Sequence, residues 1–240
     1  MFRFKQFSIC DEGATMKVGT DAVLLGAIAD VSHASAILDI GTGCGVVALI
    51  MAQRNGTATI DAVEPDKASA RCAWGNFEAS PWSGRLEVLE TTVQQFASST
   101  NRKYDCIVSN PPYFEKSLRS ASEVRNKARH NNNLPFDELA ASVVQLLSPN
   151  GTFTAILPCT EVGNFIATAK CAGLHCINKV LIYSKIWKKP LRTVFVLKPT
   201  ETAKPTVSQL AIYDENGQYS EQYYNLTKDL YLWNNIDDKL

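Results

Sequence analysis

Leu38-Asp39-Ile40-Gly41-Thr42-Gly43-Cys44-Gly45 joins the apolar run 36–40 to the segment 46–54, to which Val46, Val47, Leu49 and Ile50 give helical character. A strand that ends in a glycine-rich turn and passes directly into a helix is the ligand-binding corner of a doubly wound sheet, where glycine lets the backbone come close to a ligand. The alternation continues along the chain. Strand-like runs at 36–40, 58–63, 86–89, 104–109 and 151–157 alternate with helical segments at 46–54, 66–79 and 136–147, the pattern of βαβ units and a mostly parallel sheet. Asp66 is placed to cap the second helix, and Ser148-Pro149-Asn150-Gly151 reads as a stop after the third. Upstream, Thr20 is placed to cap a helix over 21–30 with Val23, Leu24, Ala27 and Ile28 in one stripe. Downstream, 176–183 and 191–197 read as an antiparallel pair that closes the sheet. The expected fold is α/β, a Rossmann-like, mostly parallel sheet of seven strands with an antiparallel final strand pair. One domain spans 1–240, with a short N-terminal extension (1–20) and a C-terminal appendage (about 200–240).

Composition sets outer limits. The 240 residues are 45% hydrophobic and 20% charged, as in ordinary soluble globular proteins. No run approaches the roughly 18 consecutive apolar residues of a membrane span, and Met1-Phe2-Arg3-Phe4-Lys5-Gln6 lacks the apolar stretch of a secretion signal. A cytoplasmic location without a membrane partner is expected. The seven cysteines never form Cys-x-x-Cys and mostly lie in apolar runs, which predicts reduced, buried thiols and no metal site. The 24 basic and 24 acidic residues cancel, but they are segregated. Lys179, Lys185, Lys188, Lys189, Arg192 and Lys198 lie in a stretch without Asp or Glu, whereas from Thr206 onward six acids face only Lys228 and Lys239.

Glu64 ends the strand after the glycine loop, 23 residues beyond Gly41, where a carboxylate accepts hydrogen bonds from the ribose hydroxyls of an adenosine. The dinucleotide fingerprint G-x-G-x-x-G requires glycine at position 46, which is Val46; the spacing here is G-x-G-x-G. A pyrophosphate-holding turn is therefore disfavoured. The acidic Asp39 before the loop suits a cationic, amine-bearing ligand, which points to S-adenosylmethionine, with S-adenosylhomocysteine as product.

At the end of the fourth run stands Asn110-Pro111-Pro112-Tyr113, on the same sheet edge as the glycine loop. Two prolines stop the ladder and stiffen the backbone. The segment fits the methylation of an aromatic amine, a poor nucleophile because its lone pair is delocalised into the ring. The Asn110 side-chain oxygen and the Pro111 carbonyl can accept the two amine hydrogens and aim the lone pair. Tyr113 can stack on the base.

The chain resembles the class I, Rossmann-like adenine-N6 and glutamine-amide methyltransferases, whose signature is [Asn/Asp/Ser]-Pro-Pro-[Tyr/Phe/Trp]. Within that group it is similar to the bacterial tRNA1(Val) adenine-N6 methyltransferase family, which modifies adenine 37 beside the anticodon. The resemblance rests on Met16 to Ala27, Leu38 to Gly45, Glu64-Pro65, Asn110 to Tyr113, Ala128-Arg129-His130 and the strand with Arg192. It implies a cofactor site of Lys17, Asp39, Gly41, Thr42, Gly43, Glu64, Thr92 and Asn110, and a catalytic segment of Asn110, Pro111, Pro112 and Tyr113. One position departs from the pattern. Where such enzymes carry an Asp for the adenine of the cofactor, Thr92 stands in Leu89-Glu90-Thr91-Thr92-Val93, with Glu90 as a possible substitute.

Cations beside the catalytic segment point to RNA, with no obligatory protein partner evident. Phe114 to Asn133 holds Lys116, Arg119, Arg125, Lys127, Arg129 and His130 against two glutamates. Lys188, Lys189 and Arg192, with Trp187 between the basic residues, have the composition of a loop-RNA surface, which Arg3 and Lys5 with Phe2, Phe4 and Phe7 would extend. The rivals are a protein-glutamine or ribosomal-RNA amino-methyltransferase, a DNA adenine methyltransferase, a nicotinamide-dependent oxidoreductase and a non-catalytic RNA-binding protein. The protein-glutamine enzyme expects a helical domain ahead of position 16 and the DNA enzyme a sequence-reading domain. Val46 and the Pro-Pro step fit the oxidoreductase poorly, and the intact tetrapeptide speaks against the non-catalytic reading.

Overall fold

The computed structural model describes residues 1–111, 134–201 and 204–233. A two-stranded antiparallel hairpin, β1 (Phe2–Arg3) and β2 (Ser8–Ile9), precedes α1 (Thr20–Ile28). The parallel half of the sheet follows: β3 (Ala36–Ile40), α2 (Val46–Arg54), β4 (Thr59–Val63), α3 (Lys67–Glu78), β5 (Leu86–Leu89), α4 (Val93–Ser99) and β6 (Tyr104–Ser109). The remainder is α5 (Phe136–Leu146), β7 (Leu147–Pro158), α6 (Cys159–Cys171), β8 (His175–Lys185), β9 (Arg192–Lys198), β10 (Thr206–Tyr213) and α7 (Glu221–Thr227).

The sheet order is β10-β8-β9-β7-β6-β3-β4-β5, with β9 antiparallel to both neighbours. The chain winds outward from β3 to β5 and then crosses back to β6 on the other side of β3. The strand order thus reverses at β3 and β6, where an open α/β sheet leaves a crevice at the carboxyl ends of its strands. Central strands are covered on both faces, which is why they read as near-continuous apolar runs. Ile37, Ile60 and Cys106 face a core shared with α1, α2 and the chain ends, while Leu38, Ile40 and Ile107 face one shared with α4, α5 and α6.

The architecture is the α/β, mostly parallel sheet that was expected, with one more strand. The pair β8–β9 does not close it. β10, from the segment read as an appendage, adds to β8 in parallel and supplies an eighth strand. Its exposed end, Thr206 to Gln209, gave no alternating apolar signal. Helices α4, α6 and α7 also went unread, two of them because they are only seven residues long. Asp66 caps α3 as expected, its carboxylate accepting from the Ser69 amide at 2.8 Å. Thr20 does not cap α1; Gly19 holds the cap position without a side-chain bond. Ser148-Pro149-Asn150-Gly151 follows the end of α5 at Leu146, as a stop should, and it does more than end the helix. It is a bulge inside β7, across which the β6 partner jumps from Leu147 to Thr152, and a Cβ on Gly151 would lie 2.8 Å from the Tyr104 carbonyl. Cys44 and Cys106 are buried as expected, but Cys171 is exposed. No helix among the described residues is long and apolar enough to cross a membrane.

Candidate active site

The crevice is a cavity of about 940 Å3 over the carboxyl ends of β3, β4 and β6. Gly41, Gly43 and Gly45 all adopt left-handed backbone angles (φ 71°, 57° and 85°), which side chains rarely tolerate. They differ in surroundings. A Cβ on Gly41 or Gly43 would meet no atom of the described residues within 4 Å, whereas one on Gly45 would lie 2.5 Å from the Phe77 ring of α3. The first two glycines thus leave room at the cavity wall, and the third allows α2 to start against α3.

Asp39, the residue before the end of β3, is 1% exposed and accepts the Thr42 hydroxyl at 2.6 Å. Burial pushes its carboxyl up to about 7, opposed by the Thr42 bond and raised further by the nearby Glu64 charge. Glu64, 7% exposed at the end of β4, accepts the Gly43 amide on one oxygen and the Asp66 amide on the other, each at 2.9 Å. These bonds fix the carboxylate plane, and each oxygen keeps a lone pair for a ligand. Burial raises its pKa as well.

Asn110 follows β6 directly. Ser109 anchors this end by donating to the Ile40 carbonyl of β3 at 2.9 Å. The Asn110 Oδ1 is shut off from solvent and has no hydrogen-bond partner among the described residues, although Asn110 and the buried Pro111 both line the cavity. A buried amide oxygen left unpaired costs about 1–3 kcal/mol, so an unpaired acceptor at this place marks a position kept for a ligand's donor.

Lys17, Asp39, Gly41, Thr42 and Gly43 share this one cavity with Glu64, Thr92, Asn110 and Pro111. Thr92 is already engaged as the cap of α4, its Oγ1 accepting the Gln95 amide at 3.2 Å, which leaves the hydroxyl proton and one lone pair. Glu90 does not line the cavity, but Gln94 does, and its amide nitrogen donates to the Glu138 carboxylate of α5 at 2.6 Å. Asp21 also lines it and pairs with Arg192 Nε at 2.8 Å. Arg192, expected on an RNA surface, therefore ties β9 to α1. Sequence reasoning missed Asp21, although it stands in the segment from Met16 to Ala27, because its Arg192 partner lies 171 residues away, and missed Gln94 because it belongs to no local motif. Lys188 and Lys189 stand exposed on the β8–β9 connection. The expected aromatic extension of this surface is not present. Phe4 and Phe7 are buried, stacked on each other at 4.5 Å, and Phe4 stacks on Tyr231 at 5.7 Å. Pro112, Tyr113, Arg125, Arg129 and His130 lie outside the described residues.

The cavity suits an adenosine bearing a cationic amino-acid tail. Buried carboxylates lie at the ends of β3 and β4, the open glycine turn lies between them, and an unpaired acceptor lies at the end of β6.

Comparison with known proteins agrees. The methyltransferase small domain family matches residues 14–131. A tRNA1(Val) (adenine(37)-N6)-methyltransferase of Phocaeicola vulgatus is 44% identical over 231 residues, covering 96% of this chain and 97% of its own. One of Flavobacterium johnsoniae is 38% identical over 233 residues, covering 97% and 99%. Among solved structures, a predicted O-methyltransferase of Agrobacterium tumefaciens superposes with a TM-score of 0.66 at 20% identity, over 88% of this chain and 96% of that one. A ribosomal protein L11 methylase of Lactobacillus delbrueckii gives 0.54 at 14% identity, over 78% and 82%. At such identities the two structures bear on the fold alone.

Proposed function

Because the chain belongs to the tRNA1(Val) (adenine(37)-N6)-methyltransferase family, we propose that residues 1–240 form one catalytic domain that methylates the 6-amino nitrogen of adenine 37 in tRNA1(Val), using S-adenosylmethionine. The observation that carries the reading is the buried Oδ1 of Asn110, unpaired among the described residues, on a residue that lines a cavity sized for a nucleoside cofactor and a base.

Bound S-adenosylmethionine supplies an electrophilic methyl group on a sulfonium; the chain's own residues orient what reacts with it. Glu64, held by the Gly43 and Asp66 amides, takes the ribose hydroxyls, and Asp39 at the end of β3 favours the cationic tail. Gly41, Thr42 and Gly43 form the close wall, and Lys17, Thr92 and Gln94 line the same cavity. On the substrate side, Asn110 Oδ1 and the Pro111 carbonyl accept the two amine hydrogens of adenine. That pairing localises the nitrogen lone pair and points it along one axis. Pro112 stiffens the segment, and Tyr113 stacks on the base. Once methylated, the nitrogen is acidic and gives its proton to solvent, so no strong base is needed. Arg125, Arg129, His130, Lys188 and Lys189 are assigned to the RNA backbone.

Asn110→Ala tests this directly. Methyl transfer to tRNA falls roughly 100-fold or more, the scale of removing one aimed hydrogen-bonding group, while S-adenosylhomocysteine affinity by calorimetry stays within a few fold. Unchanged turnover would remove Asn110 from this role.

A further inference from the structure

The β8–β9 hairpin bears a cluster that the cavity does not use. Its tip is a tight turn, closed by the Lys188 amide donating to the Lys185 carbonyl at 2.9 Å, with Ile186 and Trp187 at the two central positions. Trp187 is 58% exposed, and Ile186 and Leu191 on the same connection are exposed too. Lys185 Nζ lies 5.2 Å from the centre of the indole ring, a cation–π contact that holds the indole on one face.

The hairpin base is firmly held. The Leu191 amide donates to the Ile182 carbonyl at 2.8 Å, and Arg192 is paired with Asp21. An indole carried outward on a pinned turn, among Lys185, Lys188 and Lys189, has the makings of a stacking platform beside phosphate-binding cations.

Position decides what would use it. β8 runs parallel to β7 and β6 through the order β8-β9-β7-β6, so the tip leaves the sheet edge on which Asn110 stands. Three inter-strand spacings, about 15 Å, separate β8 from β6 across the sheet, and the register Ser109–Ala155–Phe195–Lys179 carries β8 on to Lys185, roughly 20 Å beyond the end of β6. On the far side, β10 ends beside Lys185, followed by Asp214 and Glu215. A flat anionic surface pressed on the tip would meet those acids, whereas a single strand leading from the cavity would not.

We propose that this hairpin tip is an RNA-holding finger. Trp187 stacks on an unpaired nucleobase a few nucleotides from the base held at Asn110, while Lys188 and Lys189 bind the adjoining phosphates. The assignment rests on the reading that an RNA adenine is the substrate.

Binding of an unmodified synthetic anticodon stem-loop, followed by anisotropy, tests it in the full chain. Trp187→Ala weakens binding about 5- to 150-fold, the worth of one stacked base. Trp187→Phe keeps most of the affinity, because its ring also stacks. The salt dependence of binding is unchanged by Trp187→Ala but shallower by about two in Lys188→Ala/Lys189→Ala. In methyl transfer, Trp187→Ala raises KM for RNA with little change in kcat. Wild-type chain that neither binds nor methylates RNA overturns the substrate reading and the finger together. Methyl transfer that Trp187→Ala leaves unaltered in KM overturns the finger alone. So does a Trp187-dependent affinity for phosphatidylserine vesicles in place of the stem-loop.

Discussion

Burial places Asp39 close to its titration point at neutral pH, with its carboxyl pushed up to about 7. The sign follows from that direction. A folded-state pKa above the unfolded value means that Asp39 contributes stability at low pH and loses it as pH rises toward 7. A cationic ligand reverses the preference, because it favours the ionised form. S-adenosylmethionine affinity therefore rises from pH 6 to 8 and levels above, and Asp39→Asn flattens the profile; calorimetry across that range checks both. A flat wild-type profile would contradict the role of Asp39. At this scale much of the site was legible. Asp39, Glu64 and Asn110 stand within one residue of the carboxyl ends of β3, β4 and β6, where an open parallel sheet forms its crevice. Asp21 and Gln94 were not legible, because they reach the cavity through packing between distant segments. Arg192 was read by its charge, and charge does not disclose the Asp21 partner that engages it.

Among the elements, α3 holds the cavity together without lining it along its length. Its Asn76 donates to the carbonyls of Cys10 and Cys44, at 2.9 and 2.8 Å, and accepts the Cys10 amide at 2.9 Å. Two turns before, the Ser69 hydroxyl oxygen accepts the Thr15 backbone amide at 3.1 Å. A single helix thus ties the segment ahead of α1 to the glycine loop. Asn76→Ala leaves buried backbone groups unpaired and costs about 1–3 kcal/mol. A lower thermal midpoint and S-adenosylhomocysteine affinity weakened several-fold are the outcomes to measure; an unchanged affinity would show that the tie does not shape the cavity. The helix itself was readable from its composition and the Asp66 cap. What it holds was not, since Asn76 bonds residues 66 and 32 positions away. The bulge in β7 went unread for a related reason. Proline and glycine signal the end of α5, and only the close approach of Gly151 to Tyr104 shows that the same segment already lies in the ladder.

Over the whole molecule, the two chain ends fasten to each other. The Lys5 amide donates to the Leu230 carbonyl at 2.7 Å, Phe4 bridges to Tyr231, and Phe4, Phe7, Tyr223 and Tyr231 enter the core that packs on α1 and α2. A double-mutant cycle on Phe4 and Tyr231 shows a coupling of about 0.5–1.5 kcal/mol in unfolding, as stacked rings give; additivity would mean the ends pack independently. The doubly wound half was legible because each βα unit repeats a local pattern. The far edge, β10 and α7, depends on contacts between segments distant in sequence. The central claim concerns the whole molecule as a catalyst and is tested by transfer of labelled methyl from S-adenosylmethionine to an unmodified tRNA1(Val) transcript, with nucleoside analysis and mapping. The account predicts N6-methyladenosine at position 37, lost when that adenine is replaced by guanine; no transfer, or a methyl group on another nucleotide, would contradict it.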